Sequence, residues 1–253
     1  MTGPAWIIPI DDAPRPAVSV LIPSQPMRAA MLDELLDSLR AQTCQDFEIH
    51  LSVSPHWWGD KINDLAKIAR GRFLCIVPDD DMLAPTYFEK TLAASRGGFD
   101  LIFSDIQFFG DRTDGYDLPD FSVNAQRHAC VPWMTALISR PLWDSLGGFD
   151  PMQLLQDSDF YLRAAMLNTE AAHVRERLVF ARQHSANGAK LMDKDTAALR
   201  LQAKHPQFFP SSFLDPNTPV PDIGALKNDG YAVVAPVEMP ARFRKAAIAG
   251  VAL

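Results

Sequence analysis

Cysteine is scarce in this 253-residue chain. Cys44, Cys75 and Cys130 lie far apart, lack metal-site spacing and are odd in number. They read as reduced packing residues of a cytosolic protein rather than a disulfide framework. Long apolar runs are missing too: none approaches the roughly 20 residues that span a bilayer. Any membrane association is therefore expected to be peripheral, at the inner face of the membrane. Met1-Thr2-Gly3-Pro4 shows no basic segment followed by an apolar core, so no signal peptide is expected. Positive charge is in deficit: 24 Lys and Arg face 31 Asp and Glu, a formal charge of -7. That argues against a nucleic-acid partner held by a broad basic surface, though not against a nucleotide ligand. No internal repeat or low-complexity tract is evident.

What is present is a core-forming chain, 47% hydrophobic, long enough for one large α/β domain with an appendage or for two small domains. Residues 1–17 read as an irregular lead-in. Val18-Ser19-Val20-Leu21-Ile22 is a first strand that Pro23 should stop. From Met27 to Arg40 the apolar residues Met31, Leu35 and Leu39 share a face with Leu32 and Leu36, and Asp33, Glu34 and Asp37 lie opposite, an amphipathic helix. Phe47–Val53 alternates as a second strand. A loop with Trp57 and Trp58 follows, then a helix through Ile62, Leu65, Ala66 and Ala69, with Gly71 suited to the residue after its end. Phe73–Val77 is nearly all apolar, as in a strand buried on both faces of a parallel sheet. A helix from Pro85 to Arg96 ends at Gly97-Gly98, and Asp100–Asp105 is a further strand with an acid at its carboxyl end. The alternation predicts an α/β fold with a Rossmann-like, mostly parallel sheet and flanking helices.

The second half is less regular. Residues 110–132 read as a loop over the sheet edge, Trp133–Ser139 as a strand, and Pro141–Leu146 as a short helix stopped by Gly147-Gly148. Asp157–Leu167 has helical spacing, and Val174–Arg182 is a strand leading to His184. One more helix, Asp193–Lys204, precedes a proline-punctuated tail. The tail's end, Ala241–Leu253, is basic and apolar and is expected to dock on its own domain, a partner subunit in a homodimer, or a membrane surface.

Three adjacent carboxylates, Asp79-Asp80-Asp81, follow Pro78 at the carboxyl end of the Phe73–Val77 strand. In open α/β sheets ligands bind at that edge. Three neighbouring carboxylates repel unless a cation or several donors neutralise them. All-oxygen ligands suit a hard ion, Mg2+ or Mn2+, able to bridge to a substrate diphosphate. The competing reading is a solvated acidic turn before a helix.

In this order, four stretches resemble the family-two nucleotide-sugar glycosyltransferases of the A-type fold, over residues 17–186. They are Val18–Pro23 with its helix; Asp79-Asp80-Asp81-Met82-Leu83-Ala84-Pro85; Gly147-Gly148-Phe149-Asp150 with Gln156-Asp157-Ser158-Asp159; and Arg182-Gln183-His184-Ser185. The resemblance implies a metal-dependent inverting transferase. It would move a sugar from a nucleotide-diphosphate donor to a saccharide or lipid-linked acceptor in surface-polysaccharide synthesis. It implies a domain at 1–186 with residues 187–253 packed on it as a helical or irregular extension.

Carried over, the resemblance makes Asp79 and Asp81 ligands of Mn2+ or Mg2+, with Asp80 near the ribose or metal and His184 completing the site. Asp157 becomes the base that takes the acceptor hydroxyl's proton. Gly148 and Trp133 border the sugars, and Pro23 and Ser24 line the donor. Residue chemistry leaves competing readings open: a helix N-cap for Asp157, an exposed loop histidine for His184, and packing for the tryptophans. Relatives usually end the second strand with paired aspartates and carry a base-reading Asp. This chain has Ser52-Val53-Ser54-Pro55 and Ser24-Gln25-Pro26, so Ser54, Gln25 or Asp60 would read the base. Gln156 replaces the usual glutamate. A non-catalytic binding or scaffold module is the alternative. A nucleotidyltransferase ranks last, because no glycine-rich basic loop follows the first strand.

Overall fold

The computed structural model describes residues 15–54, 58–126, 129–150, 155–184, 201–209 and 233–234. The sheet grows from β1 (Val18–Ser24), in which every residue is buried. β2 (Phe47–Val53) and β3 (Phe73–Ile76) run parallel to it on either side. α1 (Ala29–Arg40) and α2 (Trp58–Ile68) make the two crossovers. Consecutive residues of β1 and β3 feed opposite cores. Leu21, Leu74 and Ile76 join Ile62 and Leu65 of α2. Val18, Val20, Ile22 and Phe73 join Leu35 and Leu39 of α1. Both faces are covered, so these strands read as continuous apolar runs. Full burial of one such side chain contributes about 1.5–3 kcal/mol, so a charge in β3 would not be tolerated.

Beyond β3 the sheet departs from the all-parallel expectation. β7 (Leu137–Ser139) lies antiparallel to β3, and β5 (Leu101–Gly110) is antiparallel to β7. β5 therefore keeps the direction of β3 but is separated from it by a late strand. β8 (Ala171–Gln183) runs parallel to β5, and β4 (Met82–Leu83) pairs antiparallel with β8. β6 (Gly115–Tyr116) and β9 (Val233–Val234) extend the far edge, nine strands in all among the described residues. The remaining helices are α3 (Tyr87–Ser95), α4 (Val123–Gln126), α5 (Arg140–Leu146) and α6 (Gln156–Met166). No helix of the described residues is long and apolar enough to cross a membrane.

Several sequence expectations shift. β1 continues through Pro23, which is opposite Ser52 of β2. β3 pairs with β1 only as far as Leu21, so Pro23 has a strand neighbour on one side only and its missing N–H leaves no ladder bond unmade. Gly71 does not cap α2, which ends at Ile68. Its N–H donates to Ser19 Oγ at 2.7 Å, and a Cβ there would lie 2.4 Å from the Ser19 nitrogen, so close approach to β1 is what demands glycine. Asp105 is not at a strand end. It sits inside β5 at a register shift, accepts the Leu118 N–H at 2.8 Å and lies 2.7 Å from His173 Nε2. The expected loop at 110–132 contains β6 and α4. Of the helix expected over 193–204, residues 201–204 are helical and the rest lies outside the described residues, as do Trp57 and Ala241–Leu253.

Candidate active site

The acidic triplet is not a solvated turn. After β3, the Val77 N–H still donates to Leu21 O at 3.0 Å, and then Asp79, Asp80 and Asp81 are 3%, 8% and 4% exposed. Buried carboxylates require partners, and the surrounding elements supply them. Ser24, the last residue of β1, donates Oγ–H to Asp79 Oδ2 at 2.8 Å. Arg28 closes a 3-10 turn (Pro26–Arg28) that leads into α1. Its Nη1 lies 3.0 Å from Asp79 Oδ1 and 3.0 Å from Asp80 Oδ2. From the end of β8, the Arg182 N–H donates to Asp81 Oδ1 at 2.8 Å and Nε to the Asp80 carbonyl at 2.9 Å. Its Nη2 pairs with Glu34 of α1, and the guanidinium lies 4.4 Å from the Phe109 ring centre. His184 Nε2 is 3.1 Å from Asp80 Oδ2. Burial beside Asp80 pushes the Asp81 carboxyl well above the usual carboxylate range, against the pull of Arg182.

α2 connects this patch to the other candidate residues. Lys61 is buried in its first half, and Nζ donates to Ser24 O at 2.6 Å. Burial lowers its pKa, with the Asp79 charge opposing. Gly59, on the same turn, lies against Gln156: a Cβ there would fall 1.6 Å from Gln156 Oε1. Asn63 holds both backbone groups of Phe149, accepting its N–H at 3.0 Å and donating to its carbonyl at 2.8 Å. The opening turns of α2 thus stand between the triplet on one side and the Gly147-Gly148-Phe149 turn and the start of α6 on the other.

Asp157 is in the first turn of α6 but is not its N-cap, a position taken by Leu155. It is half-buried, and its Oδ1 accepts the Ser158 N–H at 2.8 Å. Burial raises its pKa, while N–H donors and the Cys130 thiol draw it down. Burial pushes the Cys130 thiol well up, with the Asp157 charge adding to it. The neighbouring acid of the helix, Asp159, is fully buried and turned to Arg163, Lys204 and His205. One short helix start therefore offers one carboxyl bound into a cation cluster and one that is not.

The remaining candidates divide. Ser54 N–H donates to Ser24 O at 3.2 Å, which puts the ends of β1 and β2 side by side. Asp60 is exposed in the first turn of α2. Gly148 takes a left-handed φ of 73°, and a Cβ on it would meet Asn63 Oδ1 at 2.7 Å. Trp133 is half-buried against both cores, edge-on to Phe108. Arg28 and Lys61 were not found from sequence. Lys61 carried a signal, since it is one helical turn before Leu65 on the apolar face of α2. Arg28 follows the first strand by a few residues, where a basic group can meet phosphate.

The donor set does not fit a divalent ion as arranged here. The point between Asp79 and Asp80 where a bridging cation would sit is filled by Arg28 Nη1. Asp81, an expected ligand, turns its Oδ1 to a backbone N–H of β8. Among the described residues no three His, Cys, Asp or Glu groups converge as a ligand set. Asp79, Asp81 and His184, expected to hold Mn2+ or Mg2+, are thus not gathered as a ligand set in this arrangement: Arg28 and Ser24 meet Asp79, and the Arg182 N–H meets Asp81.

This layout is the A-type glycosyltransferase fold, and solved structures share it. Residues 1–349 of S. aureus TarS in complex with UDP-GlcNAc superpose with a TM-score of 0.61 at 16% identity, over 74% of this chain and 66% of that one. The same TarS fragment with UDP gives 0.60 at 16% identity, over 84% and 75%. The mannosyltransferase PcManGT from Pyrobaculum calidifontis, in complex with GDP-Man and Mn2+, gives 0.55 at 17% identity, over 90% and 72%. This chain spans just under two thirds of the first of these, and at such identity the likeness is one of fold. No family model and no curated protein matches the sequence.

Proposed function

We propose that this chain is a nucleotide-sugar glycosyltransferase. The observation that carries the reading is the pairing of two acidic centres across the start of α2. A buried triplet whose first two acids pair with Arg28 lies at the carboxyl end of β3, and a separate carboxyl of raised pKa, Asp157, opens α6. The fold and its nucleotide-sugar-bound neighbours support it. The donor diphosphate would lie over Asp79 and Asp80 within reach of Arg28, with Pro23, Ser24, Ser54 and Asp60 around the nucleoside and Gly148 beside the sugar. Asp157 would take the proton of the acceptor hydroxyl as it attacks the anomeric carbon from the side opposite the leaving nucleotide, an inverting transfer. A carboxyl whose pKa is raised is a better base for a hydroxyl near neutral pH. The acceptor class is a saccharide or lipid-linked glycan of surface-polysaccharide synthesis, met in the cytoplasm or at the membrane's inner face. Residues 1–186 form the transferase domain, and 187–253 an extension, of which Leu201, Phe208 and Phe209 pack on Leu162.

A second reading keeps a divalent ion on the donor, favoured by His184 beside Asp80 and by the Mn2+ of PcManGT. It requires Arg28 to leave the acids.

The test is thermal stability with UDP, GDP, CDP and dTDP, since a ligand of the folded state raises it. One nucleotide should stabilise the protein. Asp157→Asn should keep that shift and lower transfer by about a hundredfold or more. Loss of both would assign Asp157 to structure, and no shift with any nucleotide would favour a non-catalytic module.

A further inference from the structure

Three basic side chains, Arg28, Lys61 and Arg182, gather around four acids, Asp79, Asp80, Asp81 and Glu34, in one largely buried patch, with His184 on its rim. A site that recruits a divalent ion leaves its acids unpaired, because their surplus negative charge is what binds the metal. Here that surplus is largely removed from within the chain. Arg28 is the residue that does it at the decisive point, bridging the two acids nearest the end of β1. A planar guanidinium presents several N–H donors in a fork matched to phosphate oxygens, as well as to carboxylates. Its Nη1 meets both acids, so the guanidinium stands where a donor phosphate would approach them, as a bridging metal would.

We propose that Arg28 takes the place of the divalent cation, so that this chain binds a nucleoside diphosphate without metal. Charge balance supports this. A diphosphate brought within about 4 Å of an unneutralised carboxylate meets a repulsion of several kT even at an effective dielectric of about 20. With Arg28 between Asp79 and Asp80, and Lys61 behind Ser24, that repulsion is offset before any ion arrives. Arg28 also gives a role to the short 3-10 turn that follows β1 in place of the glycine-rich loop of other nucleotide sites. The turn carries the cation to the acids. Arg28 is thus a donor-binding residue, and the place of a bridging ion is taken by one arginine on a segment remote in sequence from the acids. The inference rests on the glycosyltransferase reading.

The experiment uses the full chain stripped with EDTA and measures nucleoside-diphosphate binding by calorimetry, with EDTA or with Mn2+. The expected result is an affinity in EDTA within about threefold of that in Mn2+. Arg28→Gln should lose about tenfold or more in EDTA and recover on adding Mn2+, because the vacated acids then accept the metal. Arg28→Lys should remain largely insensitive to the chelator. Binding of a nucleotide by the wild-type chain in Mn2+ but not in EDTA would overturn the inference and leave the transferase reading standing. Binding of none under either condition would overturn both. The wild-type arm decides the matter even where Arg28→Gln folds poorly.

Discussion

Asp159 is the sharpest place to test how the helix that carries Asp157 is held. Its side chain is fully buried. Oδ2 accepts Arg163 Nε at 2.8 Å, and Oδ1 lies 2.7 Å from Lys204 Nζ and 2.8 Å from His205 Nε2. Asp159→Asn keeps the shape and removes the charge. The amide then offers one acceptor where three donors converge, and its NH2 must face at least one cation. Removing one partner of a buried ion pair costs about 3–5 kcal/mol. At about 2–4 °C per kcal/mol for a chain of this size, the melting temperature should fall by roughly 10 °C. Lys204 is 28% exposed at its side chain, so Lys204→Met should cost only about 1 kcal/mol. The pH dependence has a fixed sign. Burial raises the Asp159 pKa, but Lys204, His205 and Arg163 outweigh it and hold the carboxyl below its ordinary value of 3.8. A depressed carboxylate contributes stability above its unfolded pKa and loses it as pH falls through the folded one. The gap between wild type and Asp159→Asn should therefore be full at pH 7 and close below about pH 4. Scanning calorimetry over that range is the assay. A shift under about 2 °C at pH 7, or a gap that does not narrow in acid, would refute the reasoning.

Gly147 and Gly148 both adopt left-handed backbone, φ 71° and 73°, but nothing lies within 4 Å of a Cβ at Gly147, whereas one at Gly148 meets Asn63 and Trp143. Gly147→Ala should cost about 1 kcal/mol and Gly148→Ala about 2–3, by urea denaturation. Arg182→Met removes the donor to the Asp80 carbonyl and the partner of Glu34, both largely buried, and should destabilise by about 3 kcal/mol. Glu34→Gln, which leaves the contacts of Arg182 to the triplet in place, should cost less than half of that in the same measurement.

The fold was legible wherever local pattern and tertiary need agree. β2 begins and ends at the residues its alternation indicates, Phe47 and Val53, and α1 and α5 end at the expected residues, Arg40 and Leu146. The failures have a common cause. Sheet neighbours are set by pairing across the chain, which a one-dimensional pattern does not encode. Leu137–Ser139 reads as a strand, but nothing in it says that it enters between β3 and β5 in the opposite sense. Gly71 reads as a helix stop, yet its tight packing on Ser19 comes from a residue 52 positions away.

The candidate site shows the same boundary between local and distant information. Asp79, Asp80 and Asp81 were visible because three adjacent acids after an apolar strand are a local pattern. Their protein partners were not, because Arg28 is 52 residues from Asp80 and the backbone N–H of Arg182 is 101 from Asp81. Metal coordination and internal ion pairing look alike from the acids' side, since both answer the same unbalanced charge. What separates them is whether a cation of the chain reaches the acids first. Here one does, at 3.0 Å from two of them. The acidic motif must therefore be read together with the 3-10 turn after the first strand and the charge it carries.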